Sequence, residues 1–424
     1  MSSSTPLAID FGTSNSAAAL LRQGAVHRIL IERGQPTLPT AVFFPADEGP
    51  MRIGSAAVEA LIAGEEGRFM RALKSVLGLP LIQERRLISG RRRSVQEIIA
   101  AFLEQIRLRA EAQTGHRITR ALSGRPVHFH SADAAKDAAA ERDLRACYHA
   151  AGFEEVSFLA EPEAAALAAA RGWRQGQIGL IVDIGGGTSD FTIVRQDGTH
   201  PRVLASHGVR LGGTDFDHAL SLSHVMPSLG LGTEVRREMG PGLLPVPVAP
   251  FADLATWAKI PFLYTPETRR MVAELLRLSV APDRLGRLAQ VLDLELGHDI
   301  AFAVEAGKIA ANVGEKGAAI DVSFIERDLA LPLTRTALSA TLRLHKTTIA
   351  AALHTTVERA GLRAAEVDHV VLVGGSSLMS LVLEAVRDLC PDAEIEHAEA
   401  FTAVVDGLAL ATEMRAPSGA PHPS

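Results

Sequence analysis

The sequence has few of the features that mark secreted or membrane-spanning proteins. Its 424 residues include two cysteines, Cys147 and Cys390, which lie far apart without metal-ligand spacing and so predict a reducing compartment. No run of about 18 apolar residues occurs, and the N-terminus lacks a basic segment followed by an apolar one. We therefore expect a cytoplasmic protein without a membrane segment.

An excess of positive charge is also absent. The net charge is −6 at pH 7, which gives no general affinity for nucleic acid or an anionic membrane. Hydrophobic residues at 47% and charged residues at 22% are typical of globular proteins. Because the chain is longer than one hydrophobic core usually supports, we expect two domains.

Two stretches of the chain resemble one another. Residues 7–20, LAIDFGTSNSAAAL, and 180–194, LIVDIGGGTSDFTIV, each run from an apolar strand into Asp-x-Gly, a small polar turn and a second apolar strand. Such a pattern predicts two buried antiparallel hairpins, since small residues allow a tight backbone reversal. The alternative is a coincidental repeat of an ordinary turn.

The turns of these hairpins favour anion binding. A glycine-rich reversal directs several backbone N–H groups at one point and places no Cβ in the way of a phosphate. Asp10 and Asp183 leave the ends of their strands, where they would supply hard oxygen ligands for Mg²⁺ held mainly through water.

Apolar spacing, glycine and proline predict the remaining elements. Pro162 suits the first turn of a helix, which puts Glu161 at a strand-to-helix junction. Four prolines should exclude helix and central strand from 240–251, leaving either a mobile partner-binding loop or an ordered loop. Helices are predicted at 70–79, 95–115, 133–153, 303–314, 335–361 and 403–414, strands at 118–129, 154–160 and 319–325, and a strand, Gly-Gly-Ser turn and helix over 369–386.

Five segments in this order carry a family resemblance. They are LAIDFGTSNSA, RALKSVLG, LAEPEAAALA, VDIGGGTSDF with LGGTDFD, and VLVGGSSLM. The chain resembles the nucleotide-binding domain of the heat-shock 70 kDa chaperone family, within the actin and sugar-kinase superfamily. The resemblance covers residues 6–412 and is poor over 221–300.

The resemblance implies an α/β fold of the actin-like ATPase (ribonuclease H-like) kind, with ATP or ADP in a cleft between two lobes. The lobes would span 1–177 and 178–412, with a variable insert at 221–300, and 413–424 would form a disordered tail.

The resemblance also implies a set of site residues, each taken from a matching motif position. Asp10 and Asp183 would hold Mg²⁺, and the catalytic set would be Lys74, Glu161, Thr188 and Asp190. The nucleotide would be bound by Gly12, Thr13, Ser14, Asn15, Gly185, Gly186, Gly187, Gly212, Gly213, Glu305, Lys308, Asn312, Gly374, Gly375 and Ser376.

The chain departs from the family pattern in two respects. It stops where the chaperones have an interdomain linker and a peptide-binding domain, so we expect no peptide clamp. Ile309 and Leu378 stand where the family usually has arginines around the adenine, which predicts weaker nucleotide binding.

These observations predict a slowly ATP-hydrolysing, chaperone-like protein with an unidentified protein partner or client, and without nucleic-acid or membrane partners. One alternative is a non-hydrolysing nucleotide-sensing scaffold. Another is a small-molecule kinase of the same fold, which is disfavoured because no stretch is typical of an acceptor-binding insert.

Overall fold

The structure is a computed structural model that describes residues 5–32, 34–130, 133–198, 200–397 and 402–414. The chain forms two compact units, which we describe separately. The first unit comprises Met1–Gly212, Ile349–Leu378 and Val382–Ser424, and the second comprises Gly213–Thr348 and Met379–Leu381. The lobe boundaries expected from sequence stay a prediction. Within the described residues we find no helix with the length and apolarity needed to cross a bilayer.

The helices and strands follow one another in the order of an α/β protein, which confirms the predicted class. The strands are β1 Leu7–Phe11, β2 Asn15–Arg22, β3 Ala25–Arg28, β4 Thr37–Pro39, β5 Ala41–Pro45, β6 Arg52–Ile53, β7 Gly67–Arg71, β8 Arg86–Ile88, β9 Arg91–Arg93, β10 Arg120–Arg125, β11 Glu155–Ala160, β12 Ile178–Ile184, β13 Ser189–Asp197, β14 His200–Val209, β15 Glu234–Arg236, β16 Leu243–Pro245, β17 Ala319–Asp321, β18 Ala330–Pro332, β19 His369–Val373 and β20 Glu394–His397. The α-helices are α1 Ser55–Ile62, α2 Val95–Thr114, α3 Ala134–Ala150, α4 Glu161–Ala169, α5 Gly213–Leu220, α6 Ala249–Leu254, α7 Pro266–Leu278, α8 Pro282–Asp293, α9 Gly297–Val313, α10 Arg335–Thr341, α11 Arg343–Arg359, α12 Ser380–Leu389 and α13 Ala403–Met414.

The first unit contains two sheets of the same topology. One has the order β11-β10-β1-β2-β3, with β4 paired to β2, and the other has the order β14-β13-β12-β19-β20. In each sheet the central strand, β1 or β12, pairs antiparallel with the next strand of the chain and parallel with a later one. The outer pairs repeat the same directions. The duplication predicted for the hairpins therefore extends over whole sheets.

The two hairpins also share their register. Asp10 pairs with Ala17 in the first hairpin, and Asp183 pairs with Asp190 in the second. In both hairpins the aspartate and its partner are seven positions apart. The two turns consequently occupy equivalent positions at the ends of the central strands.

Helices α4 and α13 lie in the core between the two sheets. Helix α13 packs on β1, β2 and β10, while α4, which follows the first sheet in the chain, packs on β12 and β13 of the second. The two helices meet at Gly407, where an added Cβ would lie 1.6 Å from the carbonyl oxygen of Ala164. Small residues fill this core, which explains the alanine-rich motif at the start of α4.

Two predictions of local structure were wrong in part. The stretch 70–79 is not an α-helix, because Met70 and its neighbours pair with β5 in strand β7 and Ala72 has a left-handed backbone with φ 57°. A single 3₁₀ turn, Leu73–Val76, follows. Within 240–251 a helix does form, since Pro250 lies in the first turn of α6, where its missing N–H is not needed.

Other local predictions are confirmed, except that one strand is shorter and one helix is divided. Helix α2 begins at a capping box between Ser94 and Glu97 and ends at Gly115, whose φ is 71°. The predicted helix at 403–414 is α13, and residues 415–424 of the predicted tail lie outside the described residues. The predicted strand over 319–325 is shorter, as β17 ends at Asp321, and two helices, α10 and α11, replace the single one predicted over 335–361.

Candidate functional site

The turns of the two hairpins approach each other closely in the first unit. They comprise Gly12–Asn15 and Gly185–Thr188, and they are half-exposed although the strands behind them are buried. A Cβ added to Gly186 would lie 2.5 Å from Ser14 Oγ and 3.1 Å from Thr13 Cβ. Backbone groups of both hairpin turns therefore lie side by side.

Two further glycine-containing segments contact the second hairpin near its turn. A Cβ on Gly212 would lie 2.5 Å from the backbone nitrogen of Gly187, so the segment that follows β14 contacts the turn of the second hairpin. Gly374 follows β19 directly with φ 80°, and a Cβ added to it would lie only 2.5 Å from the carbonyl oxygen of Ile184. The 3₁₀ turn Gly375–Leu378 follows it. Such convergence of side-chain-free backbone is typical of phosphate-binding sites.

A buried ion pair lies in the same unit. Lys74 Nζ donates to Glu161 Oε1 at 2.6 Å, and both residues are less than a tenth exposed. Lys74 is carried by the 3₁₀ turn after Ala72, and Glu161 is the first residue of α4. Gly124 of β10 lies beside Glu161, where an added Cβ would be 3.1 Å from its Cγ.

The second hairpin fixes its own polar groups. Asp190 is 1% exposed, and its Oδ1 accepts a hydrogen bond from the backbone N–H of Val127 at 2.9 Å. Gly208 on β14 makes room for this carboxylate, because an added Cβ would lie 2.5 Å from Asp190 Oδ1. Thr188 closes the turn by accepting a hydrogen bond from Gly185 N–H through its carbonyl oxygen.

The electrostatics of the site are dominated by crowded acids. Burial, together with the neighbouring Glu161 carboxyl, raises the pKa of Asp10 from 3.8 to about 7. Burial and Glu161 likewise raise the pKa of Asp183 and of Asp190 well above the ordinary value. The pKa of Lys74 is raised, since the attraction of Glu161 and Asp10 outweighs the burial that would lower it.

This donor set fits a hydrated magnesium ion. Asp10, Asp183, Asp190 and Glu161 face one ammonium group, so the site has an excess of hard oxygen donors that a divalent cation would compensate. Among the described residues, these acids do not form a cluster of three whose ligand atoms all lie within 4.8 Å. Mg²⁺ that keeps most of its water needs no such cluster.

The predicted adenosine residues of the second unit have protein partners. Lys308 Nζ donates to Asp217 Oδ1 at 2.6 Å, and Trp257 Nε1 donates to the other oxygen of Asp217 at 3.1 Å. Asn312 Oδ1 accepts from the backbone N–H of Ser380 at 2.8 Å. Glu305 lies on the same helix, α9, and Gly213 begins α5. Ile309 is exposed, as is Leu378 of the first unit.

Comparison with known proteins identifies the family. The family model described as Hsp70 protein matches residues 80–230. The chain is 33% identical over 224 residues to the chaperone protein DnaK of Endomicrobium trichonymphae, an alignment that covers 50% of this chain and 34% of the relative. Residues 80–230 thus match the Hsp70 family, and this match together with the relative supports an Hsp70-family nucleotide-binding domain. The actin-like α/β fold expected from the resemblance is thereby confirmed.

A second relative of the Hsp70-family domain gives the same result. It is the chaperone protein HscA homolog of Azoarcus sp. (strain BH72), 32% identical over 231 residues, which cover 50% of this chain and 36% of the relative. The matched region thus spans about a third of the length of either relative. The segment matched by the family model includes Glu161 and the second hairpin, whereas Asp10 and Lys74 precede it.

Sequence reasoning missed three residues that hold candidate site side chains in place. Asp217, the last residue of the motif LGGTDFD, binds the Lys308 ammonium, and Trp257 completes that pair. The motif itself was a signal for Asp217. Val127, whose N–H holds Asp190, acts through its backbone and has no signal in its side chain.

Proposed function

We propose that the chain binds ATP with Mg²⁺ and hydrolyses it slowly, with hydrolysis acting as a conformational timer for a protein partner or client. The observation that carries this proposal is the shared register of the two hairpins. It puts Asp10 and Asp183 at equivalent strand positions behind two touching glycine turns. Membership of a family whose matched relatives are chaperone proteins supports the chaperone-like role.

The glycine turns would bind the phosphates. Backbone N–H groups of Gly12–Asn15 and Gly185–Thr188 would donate to phosphate oxygens, with Gly212 and the turn after β19 completing the enclosure. Asp10 and Asp183 would hold the hydrated Mg²⁺, which, when bound, neutralises negative charge on the phosphate oxygens.

The buried side chains would act on the γ-phosphate and its attacking water. The ammonium of Lys74 would balance the charge that develops on the transferred phosphoryl group. Glu161 and Asp190 would accept hydrogen bonds from the water and orient it in line. Asp190 suits this task because Val127 holds its carboxylate in one place.

The polar edge on α9 would serve the adenosine. Glu305 and Asn312 would contact the ribose or base, and Lys308 would act while paired with Asp217. Ile309 and Leu378 supply apolar contact without a guanidinium stack, so we expect affinity for ATP in the micromolar range. Calorimetry with ATP and with the double variant Ile309→Arg, Leu378→Arg tests this, since restored arginines should tighten binding roughly 5- to 150-fold.

The decisive experiment measures steady-state ATP hydrolysis with Mg²⁺ by the wild type and Lys74→Ala. We expect the variant to lose roughly 100-fold or more, about 3 kcal/mol of transition-state stabilisation, with nucleotide binding largely retained. Lys316→Ala, at an exposed lysine, is the matched control and should retain the wild-type rate. Equal hydrolysis by wild type and Lys74→Ala would contradict the assignment.

Two other outcomes identify the rival functions. ATP binding without hydrolysis by the wild type would favour a nucleotide-sensing scaffold. ADP release that appears only when a sugar or small acid is added would favour a kinase. A pull-down with ATP or ADP, using Glu161→Ala to hold the ATP state, would then seek the partner.

A further inference from the structure

A histidine and two glutamates meet at one corner of the second sheet, away from the glycine turns. His369 is the first residue of β19 and pairs in register with Glu394, the first residue of β20. Glu396 lies two positions further along β20, so both glutamates share a face of the sheet. One ligand atom from each of the three side chains lies within 4.8 Å of the other two.

His369 is buried, but its ring nitrogens lack ordinary partners. The residue is 9% exposed, with Nδ1 2.9 Å from Glu396 Oε1 and 3.7 Å from Glu394 Oε2. Neither ring nitrogen makes a well-aligned hydrogen bond to any described residue. Two carboxylate oxygens that lie close to an imidazole nitrogen without an aligned hydrogen bond to it have the spacing of fellow ligands of one ion.

Trp173 fixes the orientation of this histidine ring. The two rings stack with their centroids 4.8 Å apart and their planes 8° from parallel. The indole also covers Gly179 of β12, where an added Cβ would lie 2.0 Å from the Trp173 ring. Because the imidazole is already held, binding an ion would cost little further ordering of this ligand.

The first sheet offers an internal comparison, because its topology is the same. The position equivalent to His369 is Arg120, which pairs in register with Glu155 and forms an ion pair with it at 2.8 Å. The position equivalent to Glu396 is Ser157. The first sheet thus has a permanently charged guanidinium paired with one carboxylate. At the same position the second sheet has an imidazole with two carboxylates.

We propose that His369, Glu394 and Glu396 bind a divalent transition-metal ion of the Zn²⁺ class. One imidazole nitrogen and two carboxylate oxygens are ligands that Zn²⁺ accepts, with water completing the shell. In a tetrahedral shell neighbouring ligand atoms are about 3.4 Å apart, close to the separations observed here. Mg²⁺ prefers oxygen ligands alone, which separates this site from the one at Asp10 and Asp183.

The test is calorimetric titration of the full chain with Zn²⁺ in the presence of excess Mg²⁺. The variants are Glu394→Gln and Glu396→Gln, which change exposed or half-exposed carboxylates rather than the stacked histidine. We expect the wild type to bind one more Zn²⁺ than Glu396→Gln, or to bind it roughly 100-fold more tightly, since even outer-shell partners are worth roughly 10- to 100-fold. Glu155→Gln, at the equivalent corner of the first sheet, is the control and should bind Zn²⁺ as the wild type does.

A second readout uses Co²⁺ as a spectroscopic probe. The wild type and Glu155→Gln should develop the visible absorption of a low-coordinate Co²⁺ site, and Glu396→Gln should not. Zn²⁺ binding that is equal in the wild type and both glutamate variants would overturn the proposal. So would the absence of Zn²⁺ binding by the wild type, which would leave His369 as an ion-pair partner of the two glutamates.

Discussion

The two hairpins of the first unit have the same register, but their return strands place different residues opposite the aspartate. Opposite Asp10 stands Ala17, which is 1% exposed and belongs to the core between the sheets, whereas opposite Asp183 stands Asp190. Under the proposed function, the duplicated backbone would bind phosphates from both sides. The chemistry is carried unequally, because the second hairpin alone supplies two acids.

The largest expected effect comes from making the first hairpin resemble the second. Ala17→Asp would bury a carboxylate among apolar residues without a partner, so we expect the free energy of unfolding to fall by about 3–5 kcal/mol. Urea denaturation measures this. Ala17→Asn, of similar size but uncharged, should cost less, and an equal cost for both variants would mean that volume rather than charge is decisive.

The converse change removes one of the two acids of the second hairpin. Asp190→Asn keeps a carbonyl oxygen for the N–H of Val127 but cannot accept a proton from water, so we expect hydrolysis to fall roughly 100-fold. Single-turnover hydrolysis and nucleotide affinity should be measured together. An unchanged rate would remove Asp190 from the catalytic set.

Contact between the two turns can be tested at adjacent glycines. Gly186→Ala would force its Cβ against Ser14 and Thr13, and we expect ATP affinity to fall by about 2 kcal/mol, roughly 30-fold. Gly185→Ala is the matched control, because the nearest atom to its Cβ would be 3.9 Å away. Calorimetry with ATP compares them, and equal affinities would show that the turns separate without cost.

The smallest expected effect concerns pH. The pKa of Asp10 is raised from 3.8 to about 7, so the folded protein keeps a proton that the unfolded chain has lost, and without metal this group destabilises the fold as pH rises between these values. Mg²⁺ competes with that proton. We expect Mg²⁺ affinity to rise about tenfold from pH 6 to pH 8, measured by calorimetry, and Asp10→Asn to weaken this dependence. A wild-type affinity independent of pH would contradict the prediction.

Local sequence signals predicted much of this arrangement. The small residues of both turns predicted the hairpins, and Gly115 predicted the end of α2. The helix predicted at 70–79 was wrong because the apolar spacing there suits a helix, whereas Met70 and Arg71 pair with the distant strand β5. The equivalence of Arg120 with His369 could not be predicted from the sequence, because it depends on parallel pairing between strands far apart in the chain.

The contact at Gly407 has a mechanical consequence. Since α4 and α13 meet there backbone to backbone, with no room for even a methyl group, nothing compressible separates them. Each helix packs on the sheet that the other half of the first unit contributes. A contact of that kind resists any closer approach of the two helices, so the spacing between the two sheets is fixed at this point.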